Sequence, residues 1–266
     1  MIVWKYKLWR SASVAAVLGL AACGGEAGEN AAHGEAGEAA VSAGGGEAGE
    51  ASIGEAGGEH GEAGVATAYA GLEGADRTAL RIQHLRGFVL IAEHVLRDTG
   101  DVAAASTLIQ QGVMEVYDPA TDQFGSLDVA PLRRAAMAGE RPALELALRE
   151  SDAAFRAADV DANQAEVIVR LVDVAAGIYQ HVMVDGAVDP IEYQHSLGAA
   201  LAAREALTAH ANGLRGRNAR AYQEAVAELD RFVSLWPASS APPQPATYQQ
   251  VLAQSSRVRL ALSPYL

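Results

Sequence analysis

Apolar residues recur three or four positions apart along most of the chain from residue 65 to the C-terminus, and no segment sustains a two-residue alternation. Because this spacing collects apolar side chains on one face of an α-helix, it predicts an all-α domain. Short connections favour antiparallel neighbours, so we expect a single bundle of seven or eight mostly antiparallel helices. The predicted helices span approximately residues 75–97, 101–117, 129–138, 142–157, 161–184, 190–212, 218–236 and 247–262.

Residues at the helix ends support several of these boundaries. Gly100 is expected to end the first helix, and Asp101 to cap the second. Asp161 is expected to cap the helix at 161–184, and Asp189 to cap the next one, which opens with a proline. Since the segment 161–184 is apolar on nearly every side, it is predicted to lie at the centre of the bundle.

Two histidines lie on the helix predicted at 75–97. His84 and His94 are ten residues apart, which is about 15 Å along a helix and too far for both to bind one metal ion. His84 is expected to border the core beside Phe88. His94, together with Glu93, is expected to face water.

Residues 24–64 form a Gly, Glu and Ala repeat with nine Glu and no Arg, Lys or aromatic residue. Such a segment buries too little apolar surface to offset the entropy of ordering, so it is expected to be a disordered acidic tail. We interpret it as a spacer between the N-terminus and the helical domain. Loose cation binding by its Glu residues with His33 and His60 is the alternative interpretation.

The N-terminus has the layout of a secretory signal. Basic residues precede an apolar stretch at 12–22, which is too short to span a bilayer. The stretch ends in Leu20-Ala21-Ala22-Cys23, which resembles the lipobox of bacterial lipoproteins. A buried structural cysteine is the alternative interpretation of Cys23, the only cysteine in the chain.

The lipoprotein resemblance implies a division of the chain into three parts. Residues 1–22 would be a signal peptide, 23–64 a lipidated cysteine followed by the tether, and 65–266 the helical domain. The resemblance also implies that Cys23 carries acyl chains which anchor the protein to a membrane of the cell envelope. Gly24 follows the cysteine where an Asp commonly signals inner-membrane retention, so in a Gram-negative host we expect the periplasmic face of the outer membrane.

The charge of the chain argues against nucleic acid as a partner. Lys5 and Lys7 are the only lysines, so a chain cleaved before Cys23 carries 17 Arg against 33 acidic residues. Nucleic-acid phosphates require a basic surface, which this balance does not favour. With its one thiol acylated, such a chain has no disulfide, and its stability must come from burial of a core.

Candidate metal ligands cluster around the turn between the helices predicted at 161–184 and 190–212. His181 and His195 lie at similar heights if these helices are antiparallel; Asp185 follows His181 by one turn and Glu192 precedes His195 by one turn. Two imidazoles with one or two carboxylates suit zinc, copper or iron. The alternative is that the histidines are surface or helix-end residues and Asp185 is a cap.

Several other residues near this turn have a predicted role. Ala199 and Ala202 continue the row through Glu192, and their small side chains would either leave room for a ligand or allow a close helix approach. Tyr179 and Tyr193 are predicted to be core residues. The chain contains no phosphate-binding glycine loop, no Gly-x-Ser-x-Gly and no His-Glu-x-x-His, so we predict that it is not an enzyme.

Residues 179–197 resemble a hairpin of the periplasmic helical domains of high-affinity iron permeases and imelysin-like envelope proteins. This resemblance implies metal uptake or delivery, with an envelope protein such as a metal transporter as partner. The residues that match are Tyr179, Val184, Asp185, Gly186, Val188, Glu192 and Tyr193.

A second segment resembles one tetratricopeptide unit, because Gly100-Asp101 is followed by an alanine-rich helix and then by Asp118-Pro119. This resemblance implies a protein-interaction scaffold that needs no metal. No recurrence at 34 residues follows, so an extended solenoid is not expected.

Overall fold

The structure, a computed structural model, describes residues 62–158 and 160–266. Ten α-helices and one short strand pair occur in this part of the chain, which confirms the all-α prediction. The predicted signal peptide, Cys23 and nearly all of the acidic tail lie outside the described residues. The helices are α1 (Glu62–Tyr69), α2 (Gly74–Thr99), α3 (Val102–Gly112), α4 (Ala130–Ala136), α5 (Arg141–Ala157), α6 (Gln164–Tyr179), α7 (Pro190–Ala209), α8 (Ala211–Arg217), α9 (Ala219–Val233) and α10 (Tyr248–Leu262).

The structure confirms several of the helix ends that the sequence predicts. Gly100 ends α2 with a φ of 72°, and the Asp101 side chain accepts a hydrogen bond from the Ala104 N–H at the start of α3. Asp189 likewise accepts from the backbone of Ile191 in the first turn of α7. Short polar side chains at these positions satisfy N–H groups that the helix itself leaves free.

The structure differs from the predicted boundaries at both ends of α6. Asn163, rather than Asp161, caps its first turn by accepting from the Glu166 N–H. The helix ends at Tyr179, because the chain then forms a β-hairpin from β1 (Met183–Val184) and β2 (Ala187–Val188).

An Asp-Gly pair explains this hairpin. Asp185 and Gly186 have φ values of 51° and 81°, and a two-residue turn with both central residues at positive φ matches the right-handed twist of paired strands. Asp and Gly are among the residues that tolerate this conformation best. The sequence predicts a turn here but not the two short strands beside it, which end α6 at Tyr179 instead of near residue 184.

Helices α2, α6 and α7 form the centre of the domain. Helix α6 packs against α7, α1, α10 and α2, and eleven of its residues are buried. This arrangement confirms that the most apolar segment is central. Tyr179 and Tyr193, at the adjoining ends of α6 and α7, are buried as predicted and donate hydrogen bonds to the backbone oxygens of Ala246 and Ala238.

Helices α2 and α7 approach each other closely at a pair of glycines. A Cβ atom added to Gly87 would lie 2.7 Å from the backbone oxygen of Gly198, and one added to Gly198 would lie 2.7 Å from that of Gly87. Ala199 and Ala202 are buried beside this contact. This close approach is made at Gly198, which lies next to Ala199 but outside the small-residue row of the sequence analysis.

Helix α3 does not continue regularly to residue 117 as predicted. It passes into a π-helical turn at Val113–Tyr117 and then into a 3-10 segment at Asp118–Gln123. The change follows Gly112, where an added Cβ would lie 2.6 Å from the ring of Phe88. Single π-helical turns are frequent at functional sites.

From Glu62 onward, none of the described helices combines the length and hydropathy needed to cross a bilayer.

Candidate functional site

In the structure, His195 contacts residues of α2, α3 and the π-helical turn. Its Nε2 lies 3.2 Å from Oε1 of Gln111, at the end of α3, and its ring packs 4.7 Å from that of Phe88 on α2, measured between centroids. Its Nδ1 lies 3.7 Å from a carboxylate oxygen of Glu115, in the π-helical turn. His195 therefore faces α2 and α3.

The remaining three candidate ligands occupy different environments. His181 follows α6 and is partly buried, Asp185 is exposed at the tip of the hairpin, and Glu192 is partly buried in the first turn of α7. Within residues 62–158 and 160–266, no group of three or more His, Cys, Asp or Glu side chains is placed to hold a metal ion. The hypothetical site of His181, Asp185, Glu192 and His195 thus gains no support, because the hairpin carries Asp185 outward while the packing of α7 on α2 turns His195 inward.

A largely buried cluster, which we call the histidine cluster, is formed instead by Tyr69, His84, Phe88, Gln111 and His195. The Tyr69 hydroxyl lies 3.0 Å from Nδ1 of His84. Phe88 separates the two imidazoles, with its ring centroid 5.8 Å from that of His84 and 4.7 Å from that of His195. His84 thus borders the core beside Phe88, as the sequence predicts.

Both imidazoles of the histidine cluster are held neutral. Burial, together with the nearby positive charge of Arg81, lowers the pKa of His84 to about 3. Burial also lowers the pKa of His195 to about 4, although the Asp189 carboxylate acts in the opposite direction. A charge buried without adequate compensation is costly, so the neutral form is favoured.

A second cluster, which we call the arginine cluster, is centred on Arg86, two residues before Phe88 on α2. Arg86 Nη1 donates to Asp152 on α5 at 2.8 Å, and Nη2 donates to Glu205 on α7 at 2.5 Å. The guanidinium also lies 5.2 Å from the ring centroid of Phe155. Its side chain is only 10% exposed, so these contacts replace most of its hydration.

The charges in the arginine cluster alter the pKa of its members. Burial alone would lower the pKa of Arg86, but its hydrogen bonds and charge interactions with Glu205 and Asp152 outweigh burial and raise it. The second carboxylate oxygen of Glu205 is buried and has no hydrogen-bond partner among the described residues. The cluster therefore holds more negative charge than one guanidinium satisfies.

Glu93 lies at the edge of the arginine cluster, where the sequence-based expectation was wrong. It is partly buried rather than facing water, and burial together with the Asp152 carboxylate raises its pKa to about 7. It lines a cavity of about 300 Å³ between α2 and α5, whose walls include Leu96, Leu148 and Asp152. A carboxyl group that titrates near neutral pH is a functional-site candidate on physical grounds.

Sequence reasoning missed both clusters because their partners are distant along the chain. Arg86 pairs with residues 66 and 119 positions away, and His195 with a residue 84 positions away. One local pattern did point to the arginine cluster. Arg86 and Glu93 are seven residues apart, which is about two helical turns, so both lie on the same side of α2.

Apolar side chains are exposed beside the hairpin. Met183, Val184 and Ile191 are 48%, 51% and 46% exposed. Another cavity lies elsewhere, near the start of α6, and measures about 440 Å³. Its wall includes Asn163, whose N–H already donates to a carboxylate oxygen of Asp76 at 2.8 Å.

No protein-family model, no curated protein and no solved structure matches this chain.

Proposed function

We propose that this chain is a lipid-anchored protein of the bacterial cell envelope whose helical domain binds an envelope protein. The observation that carries the proposal is Leu20-Ala21-Ala22-Cys23, placed after a basic and then an apolar segment. Two or three acyl chains on Cys23 would make an anchor that is effectively permanent, since each buried methylene contributes about 0.8 kcal/mol. Residues 24–61 would then space the helical domain away from the lipid.

Mass spectrometry of the protein from its native host tests the anchor. We expect an N-terminus at Cys23 that carries a diacylglyceryl group, with residues 1–22 removed. A Cys23→Ser chain should lose the lipid and move from the membrane to the soluble fraction, whereas Ser52→Ala, a similar change in the acidic segment, should leave both unchanged. A mature protein that retains its first residues and an unmodified Cys23 would refute this part of the proposal.

The hairpin surface supports a protein as the binding partner. Met183 and Val184 in the hairpin and Ile191 in the first turn of α7, all within nine residues of the chain, are each about half exposed, and exposed apolar groups that lie together commonly mark interaction sites. We expect a photo-crosslinker at Met183, in envelopes of the native host, to capture one discrete protein. The same crosslinker at Gln249, an exposed polar position on α10, is the matched control and should not capture it.

Metal dependence separates this proposal from the metal-delivery hypothesis suggested by the hairpin sequence. Zinc and copper titrations of the full chain carrying Cys23→Ser should show no difference when His181→Ala and His195→Ala are added. Capture at Met183 should likewise persist in a chelator. Loss of one bound metal ion per chain in the double variant would instead establish a metal site at the hairpin. It would overturn the proposal that partner binding needs no metal.

A further inference from the structure

Glu93 lies where two helices of the domain are joined by few contacts. Helix α5 packs mainly against α4. Its link to α2 includes the ion pair from Arg86 to Asp152, the contact of Arg86 with Phe155, and the walls of the 300 Å³ cavity that Glu93 lines. The charge balance around Arg86 therefore bears directly on how firmly α5 is held.

The groups facing Glu93 come from three helices. Charges of both signs act on it. Arg97, which is 61% exposed, lowers its pKa less than Arg86 does. The remaining cation close to it within the cluster, Arg86, is already paired with two carboxylates. The charged groups are Arg86 and Arg97 on α2, Arg141, Glu145, Arg149 and Asp152 on α5, and Glu205 on α7.

Ionisation of Glu93 would add a third carboxylate to the two that Arg86 already pairs with, and the other arginines of the cavity, Arg97, Arg141 and Arg149, are exposed to solvent. One oxygen of Glu205 already lacks a hydrogen-bond partner among the described residues. A buried carboxylate without a partner is costly, and the nearby Asp152 adds repulsion. Outward movement of α5 relieves both costs, because it hydrates Glu93 and separates it from Asp152.

We propose that Glu93 is a proton switch that controls the docking of α5 on α2. With Glu93 protonated, Arg86 is shared by Asp152 and Glu205, and α5 is held. With Glu93 ionised, α5 is loosened and the buried face that carries Leu148 and Phe155 becomes accessible. The switch is a property of the helical domain and does not depend on the lipid anchor.

The direction of the pH effect follows from the raised pKa of Glu93. The docked state holds the proton up to a pH of about 7, whereas a hydrated Glu93 releases it near the ordinary value of 4.5. Docking is therefore at full strength below about pH 4.5 and weakens as the pH rises to about 7, by at most tenfold per unit. Above that range the docking equilibrium is constant.

A buried thiol on α5 measures the opening. Ser151 is fully buried on the inner face of α5, and Ala153 is exposed on the same helix. In the full chain carrying Cys23→Ser, either Ser151→Cys or Ala153→Cys supplies the only thiol. Reaction with a pyridyl disulfide is followed from about pH 4 to about pH 8.5, and the rate at position 151 is divided by that at 153, which cancels the ionisation of the thiol itself.

The expected rate ratio rises with pH up to about 7 and then becomes constant. Glu93→Gln, a neutral isostere of the protonated side chain, should keep the ratio low and independent of pH. Glu145→Gln, which lines the same cavity, is the matched control and should retain the rise. A flat ratio in the unmodified background, or an unchanged rise in Glu93→Gln, would overturn the proposal.

A second variant tests the same idea without altering Glu93. Arg97 lowers the pKa of Glu93 in the docked state, so Arg97→Gln should move the upper end of the rise to higher pH. Because Arg97 is largely exposed, this change should leave the fold intact. An unshifted profile would contradict the charge balance on which the switch depends.

Discussion

The histidine and arginine clusters flank the same contact between α2 and α7, yet they bury polar groups in different ways. His84 and His195 remain neutral and are separated by Phe88. Arg86 remains charged and is paired with carboxylates from two other helices. An imidazole can lose its proton at little cost near neutral pH, whereas a guanidinium cannot, so the latter requires counter-charges.

This difference gives the two clusters opposite responses to acid. The histidines favour the folded state only while neutral, so they stabilise the domain less as the pH falls below 6.5. Glu93 is favoured in its protonated form, so its contribution to stability increases as the pH falls from about 7. Stability near neutral pH is thus a balance between two neighbouring regions, and separate variants can resolve it.

Gly87→Ala should have the largest effect, because it disturbs both clusters at once. The added Cβ would lie 2.7 Å from the Gly198 backbone oxygen, and separation of α2 from α7 would stretch every contact between them. We expect the free energy of unfolding to fall by about 3 kcal/mol in urea denaturation.

Gly213→Ala is the matched control for that substitution. Gly213 lies in α8 and has no atom within 4 Å of an added Cβ. Alanine is the better helix former, so this variant should be stabilised by about 0.5 kcal/mol. A small loss in Gly87→Ala, comparable with ordinary surface substitutions, would show that the helices separate easily.

Arg86→Met should break the arginine cluster alone. It leaves Asp152 and Glu205 without their shared partner, at side-chain exposures of 28% and 35%. Because these carboxylates keep some hydration, we expect a loss of about 2 kcal/mol in the free energy of unfolding, below the range for a fully buried pair.

An exposed ion pair provides the comparison for Arg86. Arg220 pairs with Glu224 four residues later, and its side chain is 90% exposed. Arg220→Met should change stability by less than about 0.5 kcal/mol. Equal effects of the two substitutions would mean that the Arg86 pairs are hydrated in solution.

His195→Gln should have the smallest effect at neutral pH and be revealed by acid. Burial lowers the pKa of His195 from 6.5 to about 4, so the unfolded chain binds more protons between these values. From pH 6.5 to 5.5, the stability of the wild-type chain relative to His195→Gln should fall by about 1 kcal/mol. Taking the difference between the two chains removes the opposite contribution of Glu93.

His181→Gln is the control for the acid experiment, since His181 lies outside the histidine cluster. Denaturation of this variant from pH 6.5 to 5.5 should follow the wild-type profile. A profile in which His195→Gln and His181→Gln coincide would show that His195 is hydrated in the native state.

The helical character of the domain and most of its helix ends could be predicted locally. Periodicity marks a helix because its residues are neighbours along the chain, and Gly100, Asp101 and Asp189 act on backbone groups within a few positions. The end of α6 was less predictable, because the two short strands beside the Asp185-Gly186 turn replace its last residues. The Asp185-Gly186 turn ended the helical pattern and produced a hairpin.

The clusters depended on tertiary structure. Glu93 was expected to face water together with His94. Asp152 and Glu205, which pair with Arg86, lie on α5 and α7, far from Glu93 in the sequence. His195 has the spacing of a metal ligand in the sequence, but helix packing directs it toward Gln111 and Phe88.

By itself, the amino-acid sequence determined an all-α domain, an acidic repeat and the lipobox-like segment from which we infer an anchor, because each of these is carried by consecutive or periodic residues. Only the tertiary structure decided that Gly87 meets Gly198, that two imidazoles are neutral and that Glu93 shares a cluster with Arg86. Burial and charge depend on which distant residues come together, and one-dimensional spacing does not contain that information.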